Sequence, residues 1–105
     1  MPRAVDDILR DIEAFRPLNG VWLPLDGLLG ELWGAGVPVG ALPTLFAVFE
    51  RFPDDDGAGV LWSIVHGVEA VDLDYDEPLR ASLVRRPSHM GKVMLGRLER
   101  SKSAG

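Results

Sequence analysis

Residues 54–70 read DDDGAGVLWSIVHGVEA, and whether the apolar centre VLWSIV is a strand or a helix decides the fold class. A buried strand is a short apolar run, roughly four to eight residues between turn signals. Here Leu61, Ile64, Val65 and Val68 follow i, i+3, i+4, i+7 spacing, and the pattern continues past His66-Gly67. That length and period predict a helix with one apolar stripe. Trp62, His66 and Glu69 recur at the same spacings on an adjacent face. An aspartate among Asp54, Asp55 and Asp56 is placed to cap this helix, where negative charge is favoured, with the glycines in its first turn.

The same period extends outward. Val5, Ile8, Leu9, Ile12 and Phe15 predict a first helix, ended by Pro17 and Asn19-Gly20. Leu25, Leu28, Leu29 and Leu32 predict a second, from about Pro24 to Gly34, with Trp33 beside its apolar face. Gly27 and Gly30 weaken it by about 1 kcal/mol each relative to alanine, or else permit close helix packing. A third helix starts near Leu42, with Pro43 in its first turn and Pro53 closing it. Residues 72–77 read as a loop. Pro78 opens a fifth helix carrying Leu79, Leu83 and Val84. Pro87 opens a sixth, with Ser88 as a natural cap and Met90, Val93, Met94 and Leu98 on its apolar side.

The expected fold is therefore all-α: about six short helices in stacked antiparallel hairpins, as a HEAT-like α-solenoid or an irregular helical array. A four- or five-helix irregular bundle is the structural alternative. Residues 1–100 form one domain, and the tail, residues 101–105, is expected to be disordered.

Length and composition agree with one modest core: 105 residues, 47% hydrophobic. No apolar run is long enough to cross a bilayer, and Asp6, Asp7 and Asp11 do not suit a secretory leader. The chain has no cysteine, which removes disulfides, thiolate metal sites and a cysteine nucleophile and fits a cytoplasmic setting. The net charge of −5 is unevenly spread. Residues 50–77 carry nine acids and one base, whereas residues 78–105 carry seven bases and one acid. The acidic middle repels nucleic acid and attracts a basic partner. The basic third is open to two readings, a phosphate-binding surface using Arg80, Arg85, Arg86, Lys92 and Arg97, or the solvated face of two helices, of which the second is favoured.

Residue patterns for catalysis are weak. Asp72, Asp74 and Asp76 alternate as in an EF-hand loop, but Glu77 stands where that loop needs glycine and Leu83 where it needs a bidentate glutamate. His66 and His89 are 23 residues apart and lack zinc-site spacing. Ser63, Ser82 and Ser88 lack a nucleophile elbow, and no glycine cluster is followed by the lysine of a phosphate loop. The expectation is a non-enzyme with no cofactor. An aromatic ringed by acids does look like a protein-binding hot spot. The expected partner-binding residues are Asp54, Asp55, Asp56, Trp62, His66, Glu69, Asp72, Asp74 and Asp76.

The run FPDDDGAGVLWSIVHGVEA, followed by EPLRASLVRRPSHMGKVMLGRLER, resembles small all-helical immunity proteins encoded beside bacterial polymorphic and contact-dependent toxins. The likeness covers about residues 24–99. It is carried by the acids and glycines at 54–59, Leu61-Trp62-Ser63, His66-Gly67, Glu69, Arg86-Pro87-Ser88, Met94-Leu95 and Arg97-Leu98. The basic C-terminal third departs from the acidic or asparagine-rich end of such relatives. The resemblance implies an inhibitor that covers the active site of a cognate toxin domain with a basic surface, such as a nuclease. It also implies a monomer or weak homodimer that binds neither nucleic acid nor membrane. The alternative is a helical-repeat scaffold or adaptor for protein–protein interaction.

Overall fold

The computed structural model describes residues 3–71 and 73–104, and those residues form six α-helices and no extended strand. Helix α1 (Val5–Ala14) has Asp6 and Asp7 in its first turn and buries Ile8 and Ile12. After it, Asn19 (φ 53°) and Gly20 (φ 75°) both take left-handed conformations, and Val21 N donates to Leu18 O at 3.0 Å. Asn-Gly is the pair that tolerates two positive φ values in one tight turn. Helix α2 (Leu23–Ala35) carries Pro24 in its first turn and stops at Gly36, whose φ of 90° glycine reaches without strain. Leu25, Leu29 and Leu32 are fully buried, with Leu28 and Trp33 packed at the edge of the core.

Helix α3 (Leu42–Arg51) follows a 3-10 turn at Val39–Ala41, and Pro43 sits in its first turn as expected. It is the central helix: Leu42, Leu45, Phe46, Val48 and Phe49 are all fully buried, and it packs on α1, on α4 (Leu61–Ala70), on α5 (Asp76–Arg85) and on α6 (His89–Ala104). The stretch whose period was ambiguous is helical. Leu61, Ile64, Val65 and Val68 of α4 are fully buried, and each such side chain adds about 1.5–3 kcal/mol of transfer free energy.

The helices form two rows. Arg51, at the end of α3, donates to Ile12 O near the end of α1, and Glu50 meets Ser82 and Arg85 near the end of α5. So α1, α3 and α5 lie side by side with their C-terminal ends together. Ser63 donates to Asp26 at 3.1 Å, and Gly67 faces Trp33, so α2 and α4 run parallel in a second row that α6 completes. Consecutive hairpins are thus stacked in a body of 41 × 29 × 22 Å.

Four expectations are corrected. Gly27 and Gly30 are exposed, and a Cβ on either would meet nothing within 4 Å, so they do not serve close packing. Gly67 does: its Cβ would lie 2.2 Å from Trp33 Cζ2. Helix α5 begins at Asp76, two residues before Pro78, because Asp74 Oδ1 accepts Asp76 N at 3.1 Å and supplies the start. Val84 is 86% exposed, and the buried positions on α5 are Leu79 and Ser82, whose hydroxyl donates to Glu50 at 2.8 Å. Helix α6 runs on to Ala104 through the expected tail, and Lys102 pairs with Asp76. Its start is as expected: Ser88 is buried, and its hydroxyl accepts Gly91 N at 3.0 Å.

Candidate partner-binding surface

The nine residues expected to bind a partner are divided between the two ends of α4, a ten-residue helix about 15 Å long. At its C-terminal end the acids are already paired. Glu69 takes a two-pronged pair from Arg97, with Nε at 2.8 Å and Nη2 at 2.9 Å. Asp76 is held by Lys102 and Arg80, and their hydrogen bonds keep its carboxyl below the usual carboxylate range. Asp74 is exposed and spends one oxygen on the start of α5. Asp72 lies outside the described residues. Trp62 is half-buried against the core, and its ring stacks on His66 with centroids 5.7 Å apart and planes at 27°. His66 itself is exposed. The Trp62–His66 pair is thus a local helix-face contact, one turn apart along α4.

At the N-terminal end the aspartates behave differently. Asp55 Oδ1 accepts Gly57 N at 2.9 Å and Asp56 Oδ1 accepts Ala58 N at 3.1 Å. They shape a 3-10 turn, Gly57–Gly59, and α4 itself starts at Leu61 with no side-chain cap. The expected capping therefore acts one turn earlier than α4. Ala58 sits at φ 53°, a left-handed conformation that costs an alanine about 1–2 kcal/mol, so these hydrogen bonds hold a strained turn in place. Asp54, Asp55 and Asp56 are exposed, and no lysine or arginine pairs with them among the described residues.

This turn rests on Trp22. A Cβ on Gly57 would lie 2.9 Å from Trp22 Cε3, and the φ of 61° there also favours glycine. Trp22 is buried between Phe15 (centroids 5.8 Å) and Phe52 (4.9 Å, edge to face). Its chain neighbours are not buried: Leu18 is 77%, Val21 51% and Leu23 72% exposed. Three large apolar side chains therefore project within six residues that include Trp22. Sequence reasoning missed these three. Asn19-Gly20 registers as a helix stop, yet the apolar residues on both sides of it were the available signal.

Of the nine residues, Asp55 and Asp56 shape the turn whose Gly57 packs on Trp22, whereas Glu69 and Asp76 are paired with bases on α5 and α6. An open cleft of about 460 Å³ at that second end is lined by Glu69, Tyr75, Arg97, Arg100 and Ser101. Burial and the Glu69 charge push the Tyr75 phenol up, but the carboxylate that would act as its base is held by Arg97. Among the described residues, no group of three or more histidine, aspartate or glutamate side chains is placed to hold a metal ion. No helix is long and apolar enough to cross a membrane. Searches of family models, curated proteins and solved structures return no match to this chain.

Proposed function

We propose that this chain is a non-enzymatic protein-binding module that takes a basic partner on its Trp22 end. In its most specific form, the one the sequence resemblance supports, it is an immunity protein that neutralises a cognate bacterial toxin domain. The observation that carries the reading is the exposure of Leu18, Val21 and Leu23 around Trp22, on which the turn that follows the exposed Asp54, Asp55 and Asp56 packs through Gly57. Apolar side chains grouped on a surface and rimmed by charge mark interaction sites. The apolar group supplies area to desolvate, and Trp22 beneath it keeps the loop rigid, which limits the ordering cost of binding. The unpaired aspartates speed encounter with a positive surface and disfavour other acidic partners. A nuclease domain, whose active site attracts phosphate, presents such a surface. Covering it needs no chemistry from the inhibitor.

The experiment is co-expression with the product of the neighbouring gene. The wild-type chain should suppress growth arrest by that product and co-purify with it. A chain carrying Leu23→Ser and Asp54→Lys should fold, fail to co-purify and leave cells arrested. Equal protection by wild type and variant would remove this face from the reading. A neighbouring product that is neither toxic nor bound would remove the immunity role.

A further inference from the structure

A second surface feature lies on the C-terminal ends of α1, α3 and α5, next to the Trp22 end, whose packing partner Phe52 it shares. A groove of about 490 Å³ is lined by Arg16, Ala47, Glu50, Arg51, Phe52 and Arg86. Three guanidinium groups from three different segments converge on it. The one carboxylate in its wall is turned away: Glu50 accepts from Ser82 at 2.8 Å and from Arg85 at 3.0 and 3.2 Å. Burial works against that carboxylate's charge, but the bonds from Arg85 and Ser82 still hold its pKa below the ordinary value. Arg16 uses one nitrogen on the carbonyls of Phe15 and Glu13, at 2.7 and 3.4 Å. Arg86 makes no side-chain hydrogen bond or ion pair among the described residues. Arg51 donates from Nη2 to Ile12 O at 2.9 Å and lies over the Phe52 ring, 5.8 Å from its centroid. Its Nε is buried and has no hydrogen-bond partner among the described residues.

Like charges gathered on one groove repel one another, and Glu50, the carboxylate in its wall, is already engaged by Ser82 and Arg85. Burial first and the Arg16 charge second lower the Arg51 pKa, while Glu13 and Glu50 act the other way from a distance. The arrangement is one that an added anion would relieve. Arginine forks suit the oxygens of a phosphate group, which can accept from several donors at once. The three arginines outweigh the single occupied carboxylate by two charges, which matches a dianion rather than a monoanion. Phe52 gives the groove an apolar wall beside the charged floor.

We infer that the Arg16–Arg51–Arg86 groove is a binding site for a phosphate dianion, either free or as the monoester end of a small organic phosphate. Arg16, Arg51 and Arg86 donate to the group from three separate segments of the chain. The site belongs to the helix ends.

The test is a titration of the full chain with inorganic phosphate and, separately, with adenosine monophosphate at low ionic strength and mildly alkaline pH. The readout is the arginine Nε–H signals in heteronuclear NMR, with sodium chloride at matched ionic strength as the background. A saturable shift of the Arg16 and Arg86 Nε–H signals is expected with phosphate and not with chloride. Arg86→Gln and Arg16→Gln should each weaken it at least about tenfold, the worth of one charge-assisted hydrogen bond. These two side chains are exposed, so both variants are expected to fold. Arg51→Lys keeps the charge but lacks the fork, and should lose binding to a similar degree. Tighter binding of adenosine monophosphate identifies an organic phosphate as the natural ligand, and equal binding identifies phosphate itself. Shifts that chloride reproduces, or that Arg86→Gln and Arg16→Gln leave unchanged, overturn the site.

Discussion

The two ends of α4 carry similar acid-rich sequence and meet opposite fates. At the C-terminal end Glu69 and Asp76 are answered by Arg97, Arg80 and Lys102, because α5 and α6 fold their bases back across the acidic middle. At the N-terminal end Asp55 and Asp56 use their oxygens only on their own turn, and Asp54, Asp55 and Asp56 are all exposed. The basic third of the chain is thus largely the internal counter-charge for one half of the acidic block. What remains available to a partner is the other half. A charge run in sequence is a statement of supply, and the fold decides which part is already spent.

The strongest way to break this comparison is to disturb what keeps α4 seated between its two ends. Gly67→Ala would drive a methyl group into Trp33, at 2.2 Å from Cζ2. It is expected to cost about 3 kcal/mol as an overpacking change, read as a lower urea midpoint with an unchanged slope. Gly57→Ala acts at the aspartate end alone. It combines a contact at 2.9 Å to Trp22 with a positive φ and should cost about 2 kcal/mol, with the loss of the buried Trp22 fluorescence environment. Ser88→Ala removes the cap of α6, whose next residue, His89, donates its N–H to Pro53 O at 2.7 Å. It should cost about 1 kcal/mol by chemical denaturation.

A smaller effect separates paired from unpaired acids by pH. The folded-state pKa of Glu50 lies below its ordinary value of 4.5, and that of Asp76 below 3.8. A carboxylate depressed in the folded state contributes stability above its unfolded value and loses it as pH falls through the folded one. The chain should therefore lose stability progressively on acidification below about pH 4.5. Glu50→Gln should flatten part of that limb in urea midpoints taken between about pH 3 and pH 6.

The sequence was a good guide wherever local periodicity decided the outcome. The stripes of α1 and α4, the Pro43 start of α3 and the Ser88 cap are all local rules, and the structure follows them. Non-local partners set the rest. Glu69 and Arg97 are 28 residues apart, and Glu50 and Arg85 are 35 apart, so no spacing rule links them. Val84 matched an apolar period but faces water, because the neighbouring position, Ser82, found Glu50 on α3. The apolar tip at Leu18, Val21 and Leu23 was hidden for a related reason. Short apolar runs beside a turn read as core unless the packing around Trp22 is known, and that packing uses Phe15, Phe52 and Gly57 from three separate segments.

The central claim is that a protein partner engages the Trp22 end and not the Glu69–Asp76 end. It is tested most directly by measuring, under one salt condition, the affinity of the captured partner for three forms of the chain by titration calorimetry. Relative to wild type, Asp54→Lys with Leu23→Ser should weaken binding by more than about tenfold. Glu69→Gln with Asp76→Asn, which breaks the internal pairs, should change it by less than about twofold. The reverse order, with the Glu69 and Asp76 variant losing affinity and the Asp54 and Leu23 variant keeping it, would contradict the account.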